Sequence, residues 1–87
     1  KIIKVWWGKA AAINILPNPA HEKIVINLSD PSSIQQMQLV NSSGQVLQQI
    51  TAIRFVNEVN VSSLQAGIYY IRLIGKNGAV TKTFVKQ

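Results

Sequence analysis

Residues 67–87 read GIYYIRLIGKNGAVTKTFVKQ, and two runs within them, Ile68 to Ile74 and Ala79 to Val85, flank Gly75-Lys76-Asn77-Gly78. In the first run Tyr69, Ile71 and Leu73 share one side of an extended chain, and Tyr70 and Arg72 share the other. A period of two belongs to a strand and not to a helix. Asn77-Gly78 offers the positive-φ pair that a tight hairpin needs. The stretch therefore reads as two antiparallel strands, with Lys86 and Gln87 held beside the sheet and the C-terminus built into the fold.

The same pattern extends back to Ile13. Short apolar segments alternate with clusters of Gly, Pro, Asn and Ser, the signature of an all-β sandwich. Ile13–Leu16 ends at Pro17-Asn18-Pro19, where two prolines remove backbone donors and force an extended turn. Lys23–Leu28 alternates Ile24, Ile26 and Leu28 against Val25 and Asn27. A third strand begins at Ile34 or Met37 and runs to Val40, and a fourth spans Val46–Ile50. Between them Asn41-Ser42-Ser43-Gly44 forms a hairpin loop in which Gly44 can take positive φ. Phe55–Val61 is the fifth strand and leads into a corner, Ser62 to Gly67, where Leu64 reads as a buried plug. With Ile68–Ile74 and Ala79–Val85 this makes seven antiparallel strands; Pro31–Gln36 has room for one helical turn.

Residues 1–12, KIIKVWWGKAAA, differ in character and read as a linker, a tail or an expression remnant ahead of a domain spanning 13–87. The chain has 87 residues and no cysteine, so the domain folds without disulfides around a thin core. No run of about 18 apolar residues marks a transmembrane helix. Nine basic and three acidic residues give a net charge of +6. The basic residues are scattered, with no run or helix-face cluster, which argues for solubility and edge protection and against nucleic-acid binding.

The inventory for chemistry is small. The three acids are Glu22, Asp30 and Glu58, and the one histidine is His21. A lone histidine beside an acid on a loop reads as a solvated side chain, and no second one can complete a metal site. The loop serines would need a positioned base that only His21 could supply. Gly44, Gly67, Gly75 and Gly78 each border a strand and form no phosphate cradle. The expectation is a protein that is no enzyme and carries no cofactor and no metal.

Three landmarks follow in order: Leu16-Pro17-Asn18-Pro19-Ala20, then Val40-Asn41-Ser42-Ser43-Gly44-Gln45-Val46, then Val61-Ser62-Ser63-Leu64-Gln65-Ala66-Gly67-Ile68-Tyr69-Tyr70, ahead of Lys82-Thr83-Phe84-Val85-Lys86-Gln87. Together they closely resemble the C-terminal sorting domain of the type IX (Por) secretion system over residues 13–87. The resemblance implies an immunoglobulin-like, seven-stranded antiparallel β-sandwich. It also implies a sorting signal in Bacteroidetes that directs an N-terminal cargo domain through the periplasm and across the outer membrane, to the cell surface or the medium. The implied partners are the type IX translocon, an outer-membrane shuttle protein and a cell-surface sortase. The sortase removes the domain and either releases the cargo or transfers it to anionic lipopolysaccharide.

Carried onto this sequence, the resemblance assigns translocon recognition to Pro17, Asn18 and Pro19 in the opening turn, and to Gly44 and Gln45 in the central hairpin. It adds Gly67 and Tyr69 at the corner, where Leu64 also matches the family, and Lys82, Val85 and Lys86 in the last strand. The recognition surface is expected to include the Gly75–Gln87 hairpin and the Pro17–Ala20 turn. The cleavage region falls at Lys9, Ala10, Ala11, Ala12 and Ile13. The competing reading is a non-catalytic fibronectin- or carbohydrate-binding-like accessory module, using Tyr70 or Trp7 as an aromatic platform. Exposed strand edges leave self-association by strand addition or exchange open.

Overall fold

The computed structural model describes residues 13–76 and 78–87. Seven strands appear in chain order: β1 (Ile13–Leu16), β2 (Lys23–Leu28), β3 (Ile34–Asn41), β4 (Val46–Ile50), β5 (Val56–Asn60), β6 (Gly67–Gly75) and β7 (Gly78–Lys86). Pro31–Ser33 forms a single 3-10 turn before β3. Two antiparallel sheets result, one ordered β1-β2-β5 and the other β4-β3-β6-β7. This is the immunoglobulin-like sandwich expected from the strand pattern and the resemblance.

Alternation supplies the core. Ile24, Ile26 and Leu28 of β2 face Met37 and Leu39 of β3 and Tyr69, Ile71 and Leu73 of β6, while Val59, Val61 and Phe84 close the interior. Each buried aliphatic of this kind contributes roughly 1.5–3 kcal/mol, and a domain this small has few of them. Among the described residues two polar or charged residues, Asn57 and Lys86, are buried with that layer. Asn57, in phase with Val59 and Val61, donates to Ile26 O at 3.1 Å and to Arg54 O at 2.7 Å, and its Oδ1 accepts from Arg54 N at 2.9 Å. Buried amides persist when their hydrogen bonds are made in this way.

Two expectations are adjusted. Phe55 lies outside β5 and is 64% exposed, though its carbonyl accepts from Leu28 N at 2.8 Å. Leu64 packs against the core but is only half-buried. The last hairpin pairs Ile74 with Ala79 and closes at Gly75↔Gly78, between the two runs read from the sequence; Asn77 itself lies outside the described residues. In the observed register Tyr69 pairs with Phe84, and their rings stack with centroids 5.8 Å apart.

Because every strand pair is antiparallel, the connections fall alternately at the two ends of the sandwich. One end holds residues 17–22, 42–45 and 61–66 together with the end of β7. The other holds residues 29–33, 51–55 and Lys76, together with the start of β1.

Candidate functional site

The residues assigned to recognition in the turn, the hairpin, the corner and the last two positions of β7 gather at one pole of the sandwich, although Asn18 and Val85 among them stand 67 positions apart in sequence; Lys82, paired with Ile71, lies mid-strand. The opening turn is latched to the end of β7. Asn18 Oδ1 accepts from Val85 N at 2.9 Å, Ala20 N donates to Val85 O at 2.6 Å, and Gln87 N donates to Ala20 O at 2.9 Å. Ala20 thereby forms a parallel bridge with Lys86. Both X-Pro bonds of the turn are cis, and Pro17, Asn18 and Pro19 are exposed.

The corner is tied to the same place. Val61 N donates to Glu22 O at 2.8 Å, and Asn60 Oδ1 accepts from Ser62 N at 2.9 Å and Ser62 Oγ at 2.7 Å. Tyr69 is buried, and its hydroxyl donates to Gln65 O at 2.7 Å, closing a tyrosine corner of the kind found where two strands cross between sheets. Gly67 has φ +154, a conformation that a Cβ disfavours. Tyr69 therefore shapes the pole from beneath and presents little surface. Replacing Tyr69 by phenylalanine is expected to keep the fold but lower its stability by about 1 kcal/mol, measured as a lower urea midpoint at unchanged m-value.

Asn41, which the motif reading passed over, organises the hairpin. Its Oδ1 accepts from Ser43 N at 3.1 Å, Ser43 Oγ at 2.8 Å and Gln45 N at 2.9 Å. Its Nδ2 donates to Gln45 Oε1 at 3.3 Å. Gly44, at φ +91, completes a three-residue loop ending in a left-handed residue. An asparagine directly before a Ser-Ser-Gly loop is the signal that could have identified it. Asn41 and Ser42 also form one wall of an open groove of about 230 Å³ whose other wall is Gln65 to Tyr69. The hairpin and the corner thus share a depression.

Lys86 requires a correction. Placed by the resemblance among surface contacts, it is 7% exposed, and its ammonium donates to Leu64 O at 2.8 Å. Phe84 points inward, so two residues on Lys86 does too, and its head reaches the corner from below. Lys82 is exposed, and Val85, at 37%, lies on the outer face beside Ile68, which is 50% exposed. One row further along that face, Val46, Val40, Tyr70 and Thr83 follow one another across the sheet. Tyr70 is half-buried within it. The Gly75–Gly78 turn lies at the far pole, so only the final residues of the last hairpin join the cluster.

His21 is exposed, and among the described residues no group of three His, Cys, Asp or Glu could hold a metal ion. Of the cleavage region, Lys9 to Ala12 lie outside the described residues, as does Trp7. Ile13 is paired with Leu28 at the far pole.

A family model described as the secretion system C-terminal sorting domain matches residues 14–87. No curated protein sequence matches the chain.

Proposed function

The chain belongs to the family of type IX secretion C-terminal sorting domains, and from that membership we propose that it is the export signal of a cargo joined ahead of residue 13, read by the export machinery as a folded shape. One observation carries the reading beyond the match itself: the opening turn, the central hairpin, the corner and the chain end converge on a single pole, where the Asn18, Ala20 and Lys86 contacts tie the turn, the chain end and the corner together and Tyr69 braces the corner. A receptor that tests for all of them at once reads correct folding as well as sequence. Pro17, Asn18, Pro19, Gly44, Gln45, Lys82 and Val85 supply exposed surface. Gly67, Tyr69 and Lys86 hold that surface in shape.

The geometry also separates the two ends of the domain's task. Ile13 opens β1 at the pole opposite the landmarks, so a cargo leaves the sandwich about 20 Å, the length of a six-residue strand, from the recognition pole. A protease binds its substrate as extended, unpaired chain, and Ile13 is already committed to the ladder with Leu28. The sortase therefore cuts ahead of Ile13, within Lys9 to Ala12, and it can do so while the translocon or shuttle protein holds the other pole. The freed cargo is then transferred to lipopolysaccharide or released.

The test is a fusion of the 87-residue chain to the C-terminus of a periplasmic reporter, in a bacterium with and without a working type IX system. Reporter on the surface or in the medium only in the competent strain is the expected result. Reporter held in the periplasm of both strains, with the domain shown to be folded, would overturn the reading.

A further inference from the structure

We propose that the outer edge of β7, which no other described strand pairs, is a docking site for an extended, acidic peptide segment, which adds to the four-stranded sheet as a further strand. The register decides which backbone groups are available. In an antiparallel pair alternate residues turn their N–H and C=O towards the partner and the remainder turn them away. Val85 and Gln87 direct theirs outward, because Asn18 and Ala20 take them. The odd-numbered residues Ala79, Thr81 and Thr83 therefore present N–H and C=O to the same side. Among the described residues β7 pairs with no strand besides β6, and no side-chain or loop hydrogen bond reaches those groups.

This edge is also regular. The pairing with β6 runs from Gly67↔Lys86 to Gly75↔Gly78 without a register shift. At the opposite edge of the sheet, β4 sits against a shift between Leu39 and Val40, which disturbs a ladder. The contact with Ala20 is an intramolecular precedent: the last residues of β7 already accept a neighbour through main-chain hydrogen bonds. Ala79 to Thr83 continue that track for roughly 17 Å, room for a segment of about five residues.

Charge selects the occupant. No acidic residue occurs from Val59 to Gln87, whereas Arg72, Lys76 and Lys82 are exposed there. Lys82 would be the cross-strand neighbour of an added strand on one face, and Arg72, paired with Thr81, lies one strand further in on the other. A second copy of this chain is disfavoured, since it would bring Lys82 against Lys82 or the surrounding cations against their own kind. An extended segment carrying Asp or Glu meets both needs. The proposal goes beyond the sorting reading and does not depend on it.

The probe is a fluorescein-labelled Glu-Val-Glu-Val-Glu-Val peptide, titrated against the full 87-residue chain and followed by anisotropy and by amide NMR. Binding that weakens with added salt, shifts and protects the amides of Thr81 and Thr83, and is absent for the Lys-Val counterpart is expected. Thr81→Pro is the decisive variant. Its N–H points to solvent, so proline removes one docking donor without breaking the β6–β7 ladder. Circular dichroism should stay native while affinity falls at least about tenfold. Equal affinity for wild type and Thr81→Pro, amide changes confined to other strands, or no binding at about 1 mM peptide would each overturn the proposal.

Discussion

Replacing Phe84 by alanine is expected to cost about 3–5 kcal/mol, close to the whole stability of a domain this size, and to abolish export of an attached reporter. Phe84 has no exposed surface, lies among the core side chains and stacks on Tyr69. Truncation leaves a cavity beside a ring whose hydroxyl holds the corner through Gln65 O. The sandwich and its recognition pole are lost together, because the residue that fills the core sits two positions before Lys86 and one before the latch at Val85. Urea unfolding measures the first effect, with Val85→Ala, at a position 37% exposed, as the neighbouring control that should change little. A Phe84→Ala domain that unfolded at the wild-type midpoint would show that the β6–β7 packing contributes nothing to the fold. Deleting Phe84 to Gln87 destroys export for the same reason, so that deletion cannot by itself separate signal from scaffold.

Most of the fold was legible because its strands obey a period of two and end at recognisable turns. Tyr69, Ile71 and Leu73 could be placed inside from spacing alone, and β1, β2 and β4 begin and end where the pattern changes. Lys86 was not legible because residue type and phase conflict there, as they do at Asn57, on which the motifs are silent. Asn57 is in step with Val59 and Val61, and Lys86 with Phe84, yet asparagine and lysine are read as surface residues by default. Both are inside, each with hydrogen-bond partners that the chain supplies from elsewhere. The latch between Asn18 and Val85 was beyond reach for another reason. It joins residues 67 positions apart, and no local rule specifies such a pairing. What the sequence showed as separate landmarks, the fold brings together as a single end of the molecule.

That grouping gives Lys82 and Lys86 opposite expected behaviour, although both were assigned to recognition on the same grounds. Lys86→Glu is expected to destabilise the domain by about 3 kcal/mol or more. The new carboxylate would replace the ammonium that donates to Leu64 O, putting an acceptor against an acceptor in a place with almost no solvent. Lys86→Met keeps the aliphatic stem and loses only the donor, so about 1–3 kcal/mol is expected. Lys82→Glu makes the same charge change on an exposed side chain of the same strand, and the urea midpoint should hardly move. Export then separates scaffold from surface. Lys86 variants should lose secretion in proportion to their lost stability, and Lys86→Arg, which can still donate to Leu64 O, should recover much of both. Any loss in Lys82→Glu must come from a contact with a partner, since the fold is unchanged. If Lys86→Glu kept wild-type stability while secretion failed, Lys86 would be read directly by the machinery, and the buried clamp to the corner would be the wrong account of it.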